Sequence, residues 1–320
     1  MRLRQAIWWT LAVGLALVLL RYSLRGIGWS RVGSILAGAD VLRLVLAMAI
    51  GTATLFLRAC RWRVLLNAEG HVSVPAAFLA TAAGYFGNNF LPARAGELVR
   101  TYFVSSSSRL EYPYVLATAL AERVTDALVL VGIALAVLLT GDVRPAWLAS
   151  AAKPVATIAI AAAIGIAVLP FFASAVEPIV ARLPIRPSWR VRLGAIVHQG
   201  LSGLRAFHHP GRLGAFFGLT AVIWTGDAAS TVVAASALGL RMTFPAAFLL
   251  LASLGLSSAL PSTPGYVGIF QFVAVTVLVP FGLSRTDAIA YILVAQALNY
   301  VIIAAWGSVA IARYRALRRK

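Results

Sequence analysis

Long apolar segments, separated by short polar ones, follow one another along the whole chain of 320 residues. Segments of about twenty apolar residues with few charges are typical of transmembrane helices. The composition agrees, because 61% of the residues are hydrophobic and only 12% are charged, far from the balance of a soluble domain. The pattern therefore predicts an all-α polytopic membrane protein, with apolar segments at 5–20, 42–57, 74–85, 114–139, 154–172, 213–238, 244–260, 267–281 and 288–311.

Basic residues indicate which loops are cytoplasmic, because lysine and arginine favour that side of a membrane. The densest basic segments are the N-terminus, Arg58–Arg63, the linker 173–212 and the C-terminal tail. If all four are cytoplasmic, the chain crosses the membrane about six times and both termini are cytoplasmic. The remaining segments 74–104 and 244–282 then each begin and end on one side. Each is predicted to be either a re-entrant hairpin or a pair of full spans.

Glycine and proline interrupt both of these two-limbed segments at their turns. Paired broken segments that enter from opposite sides point to an inverted repeat with a binding site near the bilayer midplane. We therefore predict a single integral membrane domain, 1–320, with repeat halves at about 40–172 and 213–311. Between them, apolar residues recur at helical spacing among the arginines of 173–212. They predict an amphipathic cytoplasmic helix that either lies on the leaflet or packs on the bundle.

Lysine and arginine outnumber aspartate and glutamate by 28 to 10, which gives a net charge of +18. Because these bases flank apolar segments, they predict contact with anionic lipid headgroups and not with nucleic acid. Cys60 is the single cysteine, so no internal disulfide forms, and His208 and His209 lack partners at metal-ligand spacing. The sequence carries no motif of a hydrolase, an ATPase or a dinucleotide-binding enzyme. We expect no enzymatic activity, catalytic residue, cofactor or metal.

The stretch Gly84–Arg100 is the most unusual one for so apolar a chain, since it holds two amides, a proline, a carboxylate and two guanidinium groups. Charged groups at membrane depth are costly and are typical of binding sites and pathways. Pro92 predicts a break in the helix. If a helix restarts directly after it, Arg94, Glu97 and Arg100 share one face, with a surplus of positive charge that suits a phosphate. The alternative is an ion network that only holds a hairpin together.

The next span carries three charged residues, Glu122, Arg123 and Asp126. Two acids one helical turn apart repel each other unless a base lies close, so we predict that Arg94, Arg100 or Arg123 pairs with them. A purely structural lock is the alternative reading. Asp227 is the most isolated intramembrane acid, and it is a candidate for ion coupling or for pairing with a distant arginine.

The second break, in 261–271, predicts a helix that restarts after Pro264 with free N–H groups, which favour an anion. Gln296 and Asn299 add a polar stripe to the last span, and contact between helices is the favoured reading of this pair. The residues predicted to bind substrate are therefore Asn88, Asn89, Arg94, Glu97, Arg100, Glu122, Arg123, Asp126, Pro264, Gly265, Gly268 and Gln271.

Three motifs together resemble those of the lysylphosphatidylglycerol synthase transmembrane-region family. They are Asn89-x-Leu-Pro-x-Arg-x-Gly-Glu-x-x-Arg100, Glu122-Arg123-x-x-Asp126 and Pro261-x-x-Pro-Gly-x-x-Gly268. The resemblance spans nearly the whole chain. It implies a membrane region that moves lipids such as aminoacylated phosphatidylglycerol between leaflets, among relatives that accompany hopanoid or isoprenoid-linked glycan metabolism. The family's synthases add a cytoplasmic aminoacyl-transferase domain, which we do not expect here, and many relatives carry an acid where this chain has Gln271.

We accordingly predict a multi-pass protein of the bacterial inner membrane that translocates an anionic or phosphate-bearing lipid by alternating access. Its headgroup would bind between the two broken hairpins. The alternative is a non-transporting adaptor or scaffold for a lipid- or glycan-modifying enzyme. The predicted partners are membrane lipids and such an enzyme, and a homo-oligomer is compatible with the sequence. An intramembrane enzyme would need a nucleophile or metal constellation that the sequence does not offer.

Overall fold

The computed structural model describes residues 2–90, 95–140, 209–258 and 264–317, together with 157, 161, 164, 193–196, 198–199, 202–203 and 207. Within these residues all regular structure is helical, which confirms the all-α prediction. The helices are α1 (Arg2–Leu24), α2 (Trp29–Ala37), α3 (Val41–Leu66), α4 (Val74–Phe90), α5 (Gly96–Ser107), α6 (Tyr112–Thr140), α7 (Pro210–Ala237), α8 (Phe244–Ser257), α9 (Ile269–Leu278) and α10 (Arg285–Leu317), with 3₁₀ turns at Pro264–Tyr266 and Val279–Phe281.

Four of these helices, α3, α6, α7 and α10, are long and apolar enough to cross a membrane. Each has at least 26 residues, which at about 1.5 Å per residue exceeds the roughly 30 Å of a bilayer core. The chain is therefore a membrane protein with several apolar helices. The count of six full spans stays a prediction, and the predicted span 154–172 and linker 173–212 lie largely outside the described residues.

The structure extends one predicted helix and adds another. The apolar segment 42–57 was expected to end before Arg58, but α3 continues to Leu66 and contains the basic cluster Arg58–Arg63. Arginine is a good helix former, so a helix can continue through a basic cluster. The arginines therefore do not mark where α3 ends. The short helix α2 was not predicted, because its nine residues are too few for a span and Gly28 before it supplies no side-chain cap.

Both predicted two-limbed segments form pairs of short helices. α4 and α5 have 17 and 12 residues and pack against each other, and α8 and α9 have 14 and 10 and do the same. All four are shorter than the roughly 20 residues that a full span needs. Each half of the chain thus has the order long helix, two short helices, long helix. This order is compatible with a repeat, and the inverted repeat itself stays a prediction.

The chain folds into two compact units. The first unit comprises 1–54, 129–156 and 224–302, and the second comprises 55–128, 157–223 and 303–320. The first contains the α8–α9 pair and a core that includes Leu249, Leu250 and Ile269. The second contains the α4–α5 pair and several smaller cores, one of them around Trp62. The two predicted breaks thus belong to different units.

Candidate functional site

The second unit places α4 and α5 in backbone contact at the turn of their hairpin. A Cβ atom added to Gly96 would collide with the carbonyl oxygen of Gly84, and one added to Gly84 would lie 2.9 Å from the Cβ of Arg100. Small residues let helices approach this closely in membranes. The close approach brings the charged residues that begin α5 against those of α6.

Asn88 fastens the start of α5 to the end of α4. The Gly96 N–H donates to Asn88 Oδ1 over 3.0 Å, and Asn88 Nδ2 donates to Glu97 Oε1 over 3.2 Å. The side chain therefore satisfies one of the unpaired N–H groups at a helix start. Asn89 is buried and donates to the carbonyl oxygen of Tyr85, while its Oδ1 has no partner among the described residues.

Arg61 of α3 lies at the centre of a buried ion network. Its guanidinium donates to both carboxylates of α6, over 2.9 and 3.3 Å to Glu122 Oε1 and over 2.6 and 2.8 Å to the two oxygens of Asp126. A further bond of 3.0 Å reaches Thr220 Oγ1 on α7. These bonds use all five N–H groups that arginine has, and the side chain is only 1% exposed. Arg61 therefore has no donor left for a ligand.

Arg100 of α5 is also enclosed. Nη1 donates to Glu122 Oε2 over 2.7 Å and Nη2 to the carbonyl oxygen of Ala119 over 3.0 Å. Nε lies 2.5 Å from Glu97 Oε2, as an ion pair without aligned hydrogen-bond geometry. The guanidinium lies 4.5 Å from the centre of the Trp62 ring and the side chain is 2% exposed. The predicted pairing of Arg100 with an acid of α6 is thus present.

Arg123 of α6 has a different environment from these two arginines. Its Nε donates to Glu97 Oε1 over 2.7 Å, and its guanidinium lies 5.1 Å from the centre of the Tyr85 ring. The side chain is 34% exposed, and among the described residues its two Nη groups have no hydrogen-bond partner. The guanidinium is thus held through Nε, on a side chain that is partly exposed.

Glu97 connects the two arginines that flank it, Arg100 and Arg123. It lies in α5, outside the four helices that are long enough to span a membrane. The positive charges of Arg100 and Arg123 both lie against its carboxylate and favour the ionised form. The carboxylate is therefore kept ionised as the shared anchor of both guanidinium groups.

The described charges of this cluster balance. Its three arginines face three carboxylates, Glu97, Glu122 and Asp126. The predicted surplus of positive charge therefore rests on Arg94, which lies outside the described residues together with the rest of 91–94. In the described part, an anion would therefore meet the partly exposed side chain of Arg123 and no net positive charge.

The sequence did not predict that Arg61 and Thr220 belong to this ion network. Arg61 was counted as part of a cytoplasmic basic cluster, although apolar residues continue on both sides of it, at Leu55–Leu57 and Val64–Leu66. That continuation was the available signal that the helix runs on through Arg61. Nothing in the sequence indicated Thr220, since its role depends on how α7 packs against α3.

The first unit contains the second predicted break, and its residues are bonded to one another. Gln271 accepts from the Gly268 N–H over 2.7 Å and donates to Gln296 Oε1 over 2.6 Å. Gln296 in turn donates to the carbonyl oxygen of Gly265 over 3.0 Å. Gly265 and Gly268 have φ angles of 75° and 88°, which glycine adopts without strain. Gln271 thus caps the start of α9, and its predicted contact with substrate stays a prediction.

The other predicted residues of the first unit give less detail. Pro264 begins the 3₁₀ turn that precedes α9. Asp227 lies half-buried within α7, and its predicted part in ion coupling stays a prediction. Gln296 of the polar stripe joins α10 to the break, as the favoured helix-contact reading expects.

Comparison with known proteins gives two matches. The family model described as "Lysylphosphatidylglycerol synthase TM region" matches residues 7–307. A curated relative, "Glycosyltransferase AglD" of Haloferax volcanii, is 30% identical over 298 residues. The match covers 82% of this chain and 47% of the relative. The chain thus spans about half the length of the curated relative that it matches. No solved structure matches the chain.

Proposed function

The chain belongs to the family described as Lysylphosphatidylglycerol synthase TM region, and from this premise we propose that it translocates an anionic or phosphate-bearing lipid between membrane leaflets. The family assignment supplies the membrane region and its association with lipid. The charged cluster of the second unit supplies a site that suits such a headgroup. Broken short helices beside long spans are typical of transporters that hold an ion or substrate at membrane depth.

The observation that carries the proposal is the open edge of Arg123. An arginine binds a phosphate best through two parallel N–H groups. The Arg123 side chain is 34% exposed and its Nη groups have no partner among the described residues, while Nε is fixed by Glu97. Glu97 orients this guanidinium and the Tyr85 ring covers one side of it. We therefore assign the phosphate contact to Arg123.

The buried arginines take a different role in this proposal than the sequence suggested. Arg100 was expected to engage phosphate directly, but its side chain is only 2% exposed and is bound to Glu122 and Ala119. Breaking a buried ion pair costs several kcal/mol, so Arg61 and Arg100 would hold α3, α5 and α6 around the site. Asn88 would keep Glu97 in place, and Arg94 and Asn89 remain proposed headgroup contacts.

Phosphatidylglycerol derivatives and isoprenoid-linked lipids are the two proposed substrate classes. The curated relative bears the name of a glycosyltransferase, which favours including lipids that carry a glycan. A location in the bacterial inner membrane with both termini cytoplasmic, and transport by alternating access, belong to the same proposal. That the chain is not itself an enzyme stays an expectation.

A translocation assay with purified protein tests the proposal. Fluorescent phosphatidylglycerol is placed in both leaflets of proteoliposomes, and a membrane-impermeant reductant reports how fast inner-leaflet lipid reaches the outside. Wild-type protein should speed this exchange, and Glu97→Gln should slow it because the amide no longer anchors two arginines. Glu111→Gln, an exposed acid of the same unit, should behave as wild type. Equal rates for Glu97→Gln and wild type would show that the charged cluster takes no part in translocation.

A second candidate function is a membrane scaffold for a lipid- or glycan-modifying enzyme. The curated relative favours this function, because its name refers to glycosyl transfer and the match covers only 47% of its length. A scaffold should give no lipid exchange in the same proteoliposomes and should co-purify with a transferase from its own membrane. Lipid exchange by the purified protein alone would contradict the scaffold.

A further inference from the structure

The first unit carries an apolar groove that the proposed headgroup site does not use. Its volume is about 320 Å³, near the lower end of small-molecule sites. Residues of α1, α2, α9 and α10 line it, together with one residue just before α9. They are Leu20, Leu24, Trp29, Val267, Gln271, Leu293, Gln296, Ala297 and Tyr300.

The polar side chains in the groove are turned toward one another. Gln271 uses its oxygen for the Gly268 N–H and its nitrogen for Gln296, and Gln296 uses its nitrogen for the Gly265 carbonyl. Tyr300 donates to the same carbonyl over 2.6 Å. A polar ligand would have to compete with these bonds, whereas a hydrocarbon ligand leaves them intact. The groove therefore favours an apolar occupant.

Arginines lie beside this apolar groove in the chain. Arg25 directly follows the groove residue Leu24, is exposed, and has no hydrogen bond or ion pair within the described part. Arg31 follows Trp29 by two residues and is 63% exposed, with Nε and Nη2 bound to Asp287. Asp287 pairs with Arg31, while no acid pairs with Arg25 in the described part of the chain. This surplus of positive charge complements a phosphate.

We propose that the groove binds one hydrocarbon chain of an anionic phospholipid whose phosphate lies against Arg25 and Arg31. The apolar lining would cover the chain, and the arginines would select the charged headgroup. This site shares no residue with the Arg123 cluster and does not depend on translocation. It can therefore hold even if the chain proves to be a scaffold.

Photo-crosslinking of the full-length protein in lipid nanodiscs tests this site. The probe is phosphatidylglycerol with a diazirine on one acyl chain, compared with phosphatidylcholine carrying the same chain. Mass spectrometry locates the adducts. We expect phosphatidylglycerol adducts concentrated on the groove residues, at several times the yield that phosphatidylcholine gives there, because each arginine near the headgroup is worth roughly fivefold in affinity.

Two matched pairs of variants separate the chain contact from the charge contact. Leu293→Trp fills the groove and should abolish its adducts, while Val301→Trp, at an exposed position of the same helix, should not. Ala297→Phe fills the groove from another position and should also abolish its adducts. It replaces Leu293→Trp if that variant does not fold. Arg25→Gln should lower phosphatidylglycerol labelling about fivefold, and Arg241→Gln, another exposed arginine of this unit, should leave it unchanged.

Three outcomes would overturn the proposal. Adducts spread evenly over the exposed apolar helix surfaces would indicate ordinary surrounding lipid. Equal labelling by phosphatidylcholine would remove the role of the arginines. Groove adducts that are absent would show that no lipid chain enters the groove. Labelling is measured without any transport assay, so its failure is distinct from a failure of the proposed translocation.

Discussion

Three arginines of the second unit carry the same charge but differ in what surrounds them. Arg61 spends all its donors on Glu122, Asp126 and Thr220, and Arg100 is enclosed in a similar way. Only Arg123 combines an anchor with an accessible edge. Counting arginines in the sequence does not distinguish these roles. Their exposure does, since the side chains of Arg61 and Arg100 are 1% and 2% exposed and that of Arg123 is 34% exposed.

At this scale we predict that Arg61→Leu is strongly destabilising. The change leaves Asp126 and part of Glu122 buried without their counter-charge, which should lower the free energy of unfolding by roughly 3–5 kcal/mol. Equilibrium unfolding in mixed detergent micelles measures it. Arg63→Leu, two residues along the same helix, removes a single hydrogen bond to the Val72 carbonyl and should cost about 1 kcal/mol. Similar losses for both variants would argue against a central role of Arg61.

At the scale of elements, the α4–α5 hairpin depends on residues that have no side chain to separate the two backbones. Gly84, Gly87 and Gly96 all meet the opposing helix at distances that a Cβ atom would violate. The contact sets where Glu97 and Arg100 stand relative to α6. A small expansion of this contact should therefore disturb the ion network as well as the hairpin.

We expect Gly96→Ala to separate α4 from α5. Its Cβ would overlap the Gly84 carbonyl oxygen, which belongs to backbone and yields little, so the loss of stability should be about 1–3 kcal/mol. Gly132→Ala provides the control, because nothing lies within 4 Å of the added Cβ and alanine favours a helix by up to about 1 kcal/mol. Thermal unfolding in detergent compares the two. The contact is not essential if Gly96→Ala unfolds no earlier than Gly132→Ala.

The sequence was sufficient for some elements and not for others. Proline and glycine act locally, so the breaks near Pro92 and in 261–268 could be placed without knowing any neighbour. The acids of α6 could be recognised as needing a base, because isolated acids are costly in oil. Their main partner, Arg61, could not be named, since it lies 61 residues from Glu122 along the chain. The hydrogen bond between Gln271 and Gln296 could not be predicted for the same reason, because it arises only through packing.

At the scale of the whole molecule, the short limbs bear on an alternative that the sequence left open. α4 and α5 are about 26 and 18 Å long at 1.5 Å per residue, below the roughly 30 Å of a bilayer core. These lengths favour the re-entrant hairpin over a pair of full spans for 74–104. The family assignment and the four long helices do not depend on this choice.

Cysteine labelling distinguishes the two arrangements. In a Cys60→Ser background, cysteines at the exposed positions His71 and Arg109 should react with a membrane-impermeant maleimide from one and the same side. A cysteine at Phe90, near the hairpin turn, should stay unlabelled from the other side, because a re-entrant turn does not emerge there. Labelling of position 90 from the opposite side would identify two full spans.

In the proposed mechanism, the Nη groups of Arg123 contact the lipid phosphate while the lipid crosses the membrane. The most direct measurement is the translocation rate of phosphatidylglycerol relative to a phosphate-free glycosyl diacylglycerol, in proteoliposomes that hold wild type, Arg123→Gln or Arg109→Gln. Arg109 is an exposed arginine of the same unit and controls for loss of charge. Arg123→Gln should slow phosphatidylglycerol by about tenfold or more, while Arg109→Gln should stay near wild type and the neutral lipid should be unaffected. An unchanged phosphatidylglycerol rate in Arg123→Gln would contradict it.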